Sequence, residues 1–291
     1  MFYDIQLKLI HHIQSSNFWI DSFFKGLNYF DSIYFYLFLI VFLWAFYNEK
    51  WGIRLTYLTF FTILLNNFLK NAFHQPRPYF LDPSVGKTFC SSYGLPSGGA
   101  LMSMLFAILL IYFWRKKWVY YVAIGYVALI SFSRVYLGIH FPTDILGGWV
   151  VGAFCAYVFL KLYPHLEAKI QNLSKMRIYW ITQALGVAFY LTMSGDSGLG
   201  FAGATMGIGA GYYFASSFEE VVFFSLSQRC FSLLIAFLGT LILFVPLELF
   251  RKSFSLGGVA LLNFTENYIL GLWMIYLFPM IRKYLFKTLK I

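Results

Sequence analysis

The sequence predicts an all-α membrane protein, a polytopic bundle of about nine spanning helices, on three observations. Hydrophobic residues make up 60% of the 291 positions and charged residues only 12%, about half the charged share of a soluble domain. Apolar runs approaching the roughly 20 residues that carry a helix across about 30 Å of hydrocarbon recur along the whole chain. The Lys and Arg behind the net charge of +10 fall in short loops between those runs, a distribution that suits lipid headgroups and membrane orientation and argues against a nucleic-acid partner. Cys90, Cys155 and Cys230 are scattered, odd in number and without a CxxC pair, so neither a disulfide framework nor a thiolate metal site is expected.

Taken in order, the opening MFYDIQLKLIHHIQ lacks a basic start ahead of an apolar stretch, and no removable signal peptide is expected. Residues 3–25 mix apolar and polar positions too evenly to span, while Ile5, Leu9, Ile13 and Phe18 suggest an amphipathic face, so 1–29 reads as an interfacial segment. Spanning runs follow at 30–47, 54–70, 99–114, 118–136, 145–162, 178–194, 200–216, 230–248 and 258–280. Alternate loops are basic: Lys50 and Arg54, then Arg115, Lys116 and Lys117, then Lys161, Lys169, Lys175 and Arg177, with Arg282, Lys283, Lys287 and Lys290 at the end. By the positive-inside rule these face the cytoplasm, which puts 71–97, 137–144 and the amino-terminal segment together on the outer side. The polar stretch 163–177 reads as a cytoplasmic linker between a catalytic core at 30–162 and a transmembrane extension at 178–291. In that extension Asp196, the Glu219–Glu220 pair and Glu266 stand out, since acidic groups at membrane depth are functional candidates. Glu219 and Glu220, close to Arg229, read as a solvated pair in an inner loop.

The outer loops carry three polar clusters, each at the mouth of a predicted helix: Lys70 with Arg77-Pro78, Pro96-Ser97-Gly98, and Ser133-Arg134 with His140 and Asp144. Three fixed cations in an apolar protein are costly unless an anion gathers them, and Arg grips phosphate with paired hydrogen bonds. Ser97-Gly98 opens a helix, so its hydroxyl and the first free amides can point at that anion. Pro142 suits a first helical turn, placing His140 just outside the helix and Asp144 within its first turn. A carboxylate there can hold an imidazole that attacks phosphorus through its other ring nitrogen, giving a phosphohistidine that water hydrolyses.

Lys70 to Pro78 (KNAFHQPRP), Pro96 to Gly98 (PSG) and Ser133 to Asp144 (SRVYLGIHFPTD) resemble the three-part signature of the type 2 phosphatidic acid phosphatases, the lipid phosphate phosphatase superfamily. The resemblance covers about residues 54–162. It implies a helical core with a metal-independent, cofactor-free site at the outer membrane face. It also implies that Lys70, Arg77 and Arg134 bind phosphate with Ser97 and Gly98, that His140 is the nucleophile and that Asp144 orients it. The chain departs from the pattern at Gly99, where the family carries a histidine that protonates the leaving group. Four explanations stand: a leaving group that needs no acid, a substitute acid, a site that binds phosphate without efficient turnover, or a deliberate substitution at this position. His74, between Lys70 and Arg77, is the natural substitute. Because a pyrophosphate releases a phosphate that needs little help while a monoester releases an alkoxide, Gly99 predicts a preference for lipid pyrophosphates and a gain for monoesters on Gly99→His.

These residues point to a lipid phosphate or pyrophosphate phosphatase of a bacterial inner membrane, its site facing the periplasm or outside and its partners membrane lipids. Isoprenoid pyrophosphates such as undecaprenyl pyrophosphate, phosphatidate, phosphatidylglycerol phosphate and lipid A phosphates all offer the required phosphoryl handle. Two other readings remain: a catalytically weak phospholipid-phosphate binder or phosphotransferase, and a transporter, though no pair of interrupted helices in matching halves supports the last.

Overall fold

A computed structural model describes residues 2–14, 17–47, 49–192, 196–215, 225–251 and 256–289, and every regular element among them is helical. They form two compact units, Met1–Leu37 with Phe61–Pro164 and Phe38–Phe60 with His165–Ile291.

The first unit holds α1 (Phe2–Ile13), α2 (Phe18–Gly26), the 3-10 turn Leu27–Asp31, the start of α3 (Ile33–Phe42) and the later part of α4 (Glu49–Phe73). After a short α5 (Pro78–Leu81) come α6 (Gly98–Trp114), α7 (Lys117–Tyr136) and most of α8 (Pro142–Gln171). Ser97 caps α6, its hydroxyl accepting the Ala100 amide, and Arg115 ends the helix in the left-handed conformation. Alpha-helices α6 and α8 approach closely because α8 lacks side chains where they meet. A Cβ on Gly148 would lie 2.7 Å from the Ser97 carbonyl oxygen, and one on Gly152 would strike that of Leu101. The turn from α7 to α8 needs Gly138, whose φ of +68° is left-handed and whose added Cβ would run into the Val85 carbonyl.

The amino-terminal segment does more than present an amphipathic face. Ile5, Leu9 and Phe18 are exposed, as an interfacial face requires, but Ile10 is fully buried in a cluster with Val85, Ala100, Phe141 and Ile145. The Gln6 side chain accepts hydrogen bonds from the Thr143 amide (3.2 Å) and hydroxyl (3.1 Å), and Gln14 donates to the carbonyls of Val85 and Tyr136, each at 2.8 Å. Gln6, Ile10 and Gln14 stand four residues apart and so share one side of a helical path. That mixed stripe is invisible to a count of apolar residues alone.

The second unit contains α9 (Lys175–Thr192), α10 (Asp196–Phe214), α11 (Leu226–Arg251), α12 (Leu256–Leu272) and α13 (Phe278–Leu289), the last two joined by a π turn over Trp273–Leu277. Glycines at 203, 207 and 211 line one side of α10 at helical spacing. A Cβ on Gly203 or Gly207 would strike the carbonyl of Phe264 or Tyr268 on α12, so this glycine-rich run is a packing face. The rings of Trp44 and Phe278 meet at a tilt, 4.2 Å between centroids, in the same unit, and Glu266 is buried at 2% exposure. Glu219 and Glu220 lie outside the described residues.

Each of the nine predicted runs coincides with helix through most of its length. By length and composition, Lys117–Tyr136, Pro142–Ile170, Leu226–Leu243 and Gly258–Thr288 can cross a membrane, and Gly98–Trp114 is apolar but shorter. The stretch expected as a linker at 163–177 is helical up to Gln171 and again from Lys175. Its charged residues are good helix formers, and Glu167 accepts from Arg54 Nη2 at 2.5 Å through both carboxylate oxygens.

Candidate active site

The three sequence clusters converge in the first unit around a cavity of about 260 Å³. The last turn of α4 delivers Lys70, whose ammonium donates to the carbonyls of Tyr93 (2.6 Å) and Gly94 (3.3 Å). Arg77, just ahead of α5, is held on all sides. Nε donates to the Ser92 carbonyl at 2.5 Å, Nη2 to the Ser92 hydroxyl at 2.9 Å and Nη1 to the Ile139 carbonyl at 2.9 Å. Arg134 comes from the last turn of α7, with Nε on the Ser133 hydroxyl at 3.1 Å, Nη1 paired with Asp31 at 3.1 Å, and Nη2 buried with no hydrogen-bond partner among the described residues. All three cations are at most 6% exposed. A buried guanidinium with a spare donor, beside two more cations, is an arrangement that can take up an anion.

His140 has its two ring nitrogens in different company. Nδ1 faces Asp144 Oδ2 at 3.2 Å, while Nε2 lies 3.2 Å from Arg77 Nη1 at the cavity wall. Arginine can only donate, so Nε2 carries the lone pair and Nδ1 the proton given to Asp144. Asp144 is itself fixed: Oδ2 also accepts the Phe141 amide at 2.9 Å, and Oδ1 accepts from Gln75 Nε2 at 2.7 Å. Burial, and after it the charges of Arg77, Lys70 and Arg134, hold the His140 imidazole well below its ordinary pKa. The ring is therefore neutral, with its Nε2 lone pair facing Arg77 at the cavity wall.

Lys70, Arg77, Gly98, Gly99, Arg134 and His140 line the cavity. Ser97 and Asp144 are fully buried behind that wall, where the Ser97 amide donates to the Asp144 carbonyl at 3.0 Å and ties the second cluster to the third. His74 is not among the lining residues; it is exposed, in the left-handed conformation, with its ring 4.6 Å from that of Tyr93. Three contributors escaped the sequence reading. Gln75 supports Asp144 from within the first cluster, and Asp31 and Tyr36 line the cavity from the other side. The available signal for Asp31 was an acidic residue at the foot of an apolar run, which carries an electrostatic cost that needs a partner.

Comparison with known proteins gives a match to the PAP2 superfamily over residues 51–167. The chain is 35% identical over 147 residues to the phosphatidylglycerophosphatase B of Bacillus subtilis, covering 46% of this chain and 70% of that protein. It is 31% identical over 117 residues to the undecaprenyl-diphosphatase of Sulfolobus acidocaldarius, covering 40% and 56% respectively. It is also 28% identical over 143 residues to the lipid A 4'-phosphatase of Bacteroides thetaiotaomicron, covering 43% and 62%.

Proposed function

Because the chain belongs to the PAP2 superfamily, whose members similar to it are named as phosphatases of lipid phosphates and diphosphates, we propose that it is an integral membrane lipid phosphatase working through a phosphohistidine. The observation that carries the mechanism is the pair of hydrogen bonds at His140, with Asp144 on Nδ1 and Arg77 on Nε2. A phosphoryl group bound by Lys70, Arg77 and Arg134 meets the Nε2 lone pair, and the same cations stabilise the charge that spreads over its equatorial oxygens as the bond to the leaving group loosens. The free amides at the start of α6, beside Gly98, add donors to that cradle. Asp144 keeps the imidazole in the reactive tautomer and stabilises the positive charge that develops on attack. Water then attacks phosphorus, and phosphate departs.

The charge distribution of the loops supports a site on the outer side of a cytoplasmic membrane. Substrates are lipids with a terminal phosphate or pyrophosphate, with the reaction centre within 54–162 and the 178–291 helices as an extension. Inorganic phosphate release from mixed lipid phosphates, measured with and without chelator beside vanadate affinity, tests this reading. His140→Ala should abolish release while vanadate still binds, because the cations remain. Activity within a few-fold of the parent protein removes His140 from the nucleophile role. Asp144→Asn should be damaging but less complete, since it misorients the ring without deleting it.

A further inference from the structure

Gly99 and Asp31 come from distant parts of the first unit, yet they compete for one place. A Cβ built on Gly99 would strike Asp31 Oδ2, and it would lie 2.7 Å from the carboxyl carbon and 2.9 Å from Oδ1. The carboxyl thus fills the volume into which a side chain at position 99 would project. It is held there by the Tyr36 hydroxyl, which donates to Oδ1 at 2.8 Å, and by Arg134 Nη1, 3.1 Å from Oδ2, and its side chain is 11% exposed. Among the described residues Asp31 is the only carboxylic acid lining the cavity that His140, Arg77 and Lys70 also line.

The reaction needs a group of this kind. Transfer of a phosphoryl group from an alkyl monoester expels an alkoxide, which is a poor leaving group until it gains a proton. The cations, the imidazole and the phenol at the cavity are committed elsewhere. Arginine does not give up a proton, Lys70 is engaged by two carbonyls, and the Nε2 lone pair of His140 is the nucleophile. Tyr36 already donates to Asp31.

We propose that Asp31 is the catalytic acid of this site, protonating the leaving-group oxygen from the place a side chain at residue 99 would otherwise occupy. The proposal rests on the phosphohistidine reading above. Arrival of a phosphate dianion beside the carboxyl favours its protonated form, because two adjacent anions repel, and it draws on the unpartnered Nη2 of Arg134. As His140 Nε2 bonds to phosphorus, the bond from phosphorus to the leaving oxygen breaks with its electron pair on oxygen, and the Asp31 proton passes to that oxygen. In the second step the Asp31 carboxylate takes a proton from the water whose oxygen attacks phosphorus. The phosphorus–nitrogen bond breaks with its pair returning to Nε2, phosphate leaves, and both side chains regain their starting forms.

The test compares two leaving groups on the full-length protein: a long-chain alkyl phosphate, and 4-nitrophenyl phosphate, whose phenolate departs without a proton. Single-turnover release of alcohol or nitrophenol isolates the first step, and vanadate binding reports an intact site. Asp31→Asn should slow alcohol release by about 10²- to 10⁴-fold, the typical contribution of a positioned acid, slow nitrophenol release far less, and leave vanadate binding in place. In the double variant Asp31→Ala with Gly99→His, the imidazole enters the vacated space, and alcohol release should exceed that of Asp31→Ala alone. Equal slowing of both leaving groups would show that Asp31 only holds Arg134 in position and would overturn the proposal. So would unchanged alcohol release, or a double variant no faster than Asp31→Ala. A parent protein that releases neither leaving group overturns the phosphatase reading itself, an outcome distinct from an active parent with an indifferent Asp31.

Discussion

In the proposed mechanism His140 owes its reactivity to neighbours that hold its proton on one nitrogen and its lone pair on the other, within a ring kept neutral by burial and by Arg77, Lys70 and Arg134. The sign of the pH effect follows. A depressed imidazole pKa leaves the nucleophile unprotonated through mildly acidic conditions, so kcat/KM should stay high as pH falls past the ordinary histidine range. Lys70→Met removes one repelling cation, eases protonation of the ring and should move the acid limb of kcat/KM upward. Both proteins are to be profiled on the same substrate, so that ionisation of the substrate cancels. A limb that stays in place or moves down would contradict the electrostatic cause. Gly99 illustrates the same dependence on neighbours. In the sequence it is a gap where an acid is wanted, whereas in the fold the gap is filled by Asp31. Gly99→His alone therefore faces a collision, and the gain that the sequence predicts for monoesters should appear only when Asp31 is shortened.

At the scale of elements, the site depends on how closely α6 and α8 can approach, since one begins at Ser97 and the other carries Asp144. Gly148 stands one turn beyond Asp144 and meets backbone, with the Ser97 carbonyl oxygen 2.7 Å from an added Cβ. Backbone cannot swing aside as a side chain can, so Gly148→Val should cost about 1–3 kcal/mol or more through overpacking and lower activity by displacing Asp144 from His140. Gly125 in α7 is the matched control: an added Cβ meets nothing within 4 Å. Alanine is the better helix former by about 1 kcal/mol, so Gly125→Ala should hold or raise the thermal midpoint while Gly148→Val lowers it. Similar midpoints for the two variants would remove the close approach as a determinant. Alpha-helix α1 acts on the same region through Gln6, which binds Thr143 one residue ahead of Asp144. Gln6→Leu should accordingly reduce turnover more than phosphate-analogue binding, a split visible in kcat against vanadate affinity.

For the whole molecule, the pattern of basic loops predicts that the cavity opens away from the cytoplasm. Cys90 is exposed and lines the cavity, in the loop that this reading puts outside, so it serves as a native reporter. In intact cells an impermeant maleimide should label Cys90. Lys116→Cys, placed in a background lacking Cys90 and Cys230, should react only after permeabilisation. The reverse pattern would turn the protein over in the membrane and put the reaction on the cytoplasmic side.

The sequence by itself determined the helical membrane class and singled out the cations, the histidine and the carboxylate of the candidate site. Hydropathy, loop charge and short-range spacing are local properties of the chain, and Lys70 with Arg77, or His140 with Asp144, lie within one or two helical turns of each other. Only the tertiary structure decided which groups share the cavity. It brought in Asp31, set Gln75 behind Asp144, left His74 on the surface and turned an interfacial helix into a brace for the Asp144 turn. These outcomes depend on adjacency across tens of residues. Glycines that admit close backbone approach and buried charges that must find partners create that adjacency, and neither leaves a periodic mark along the chain.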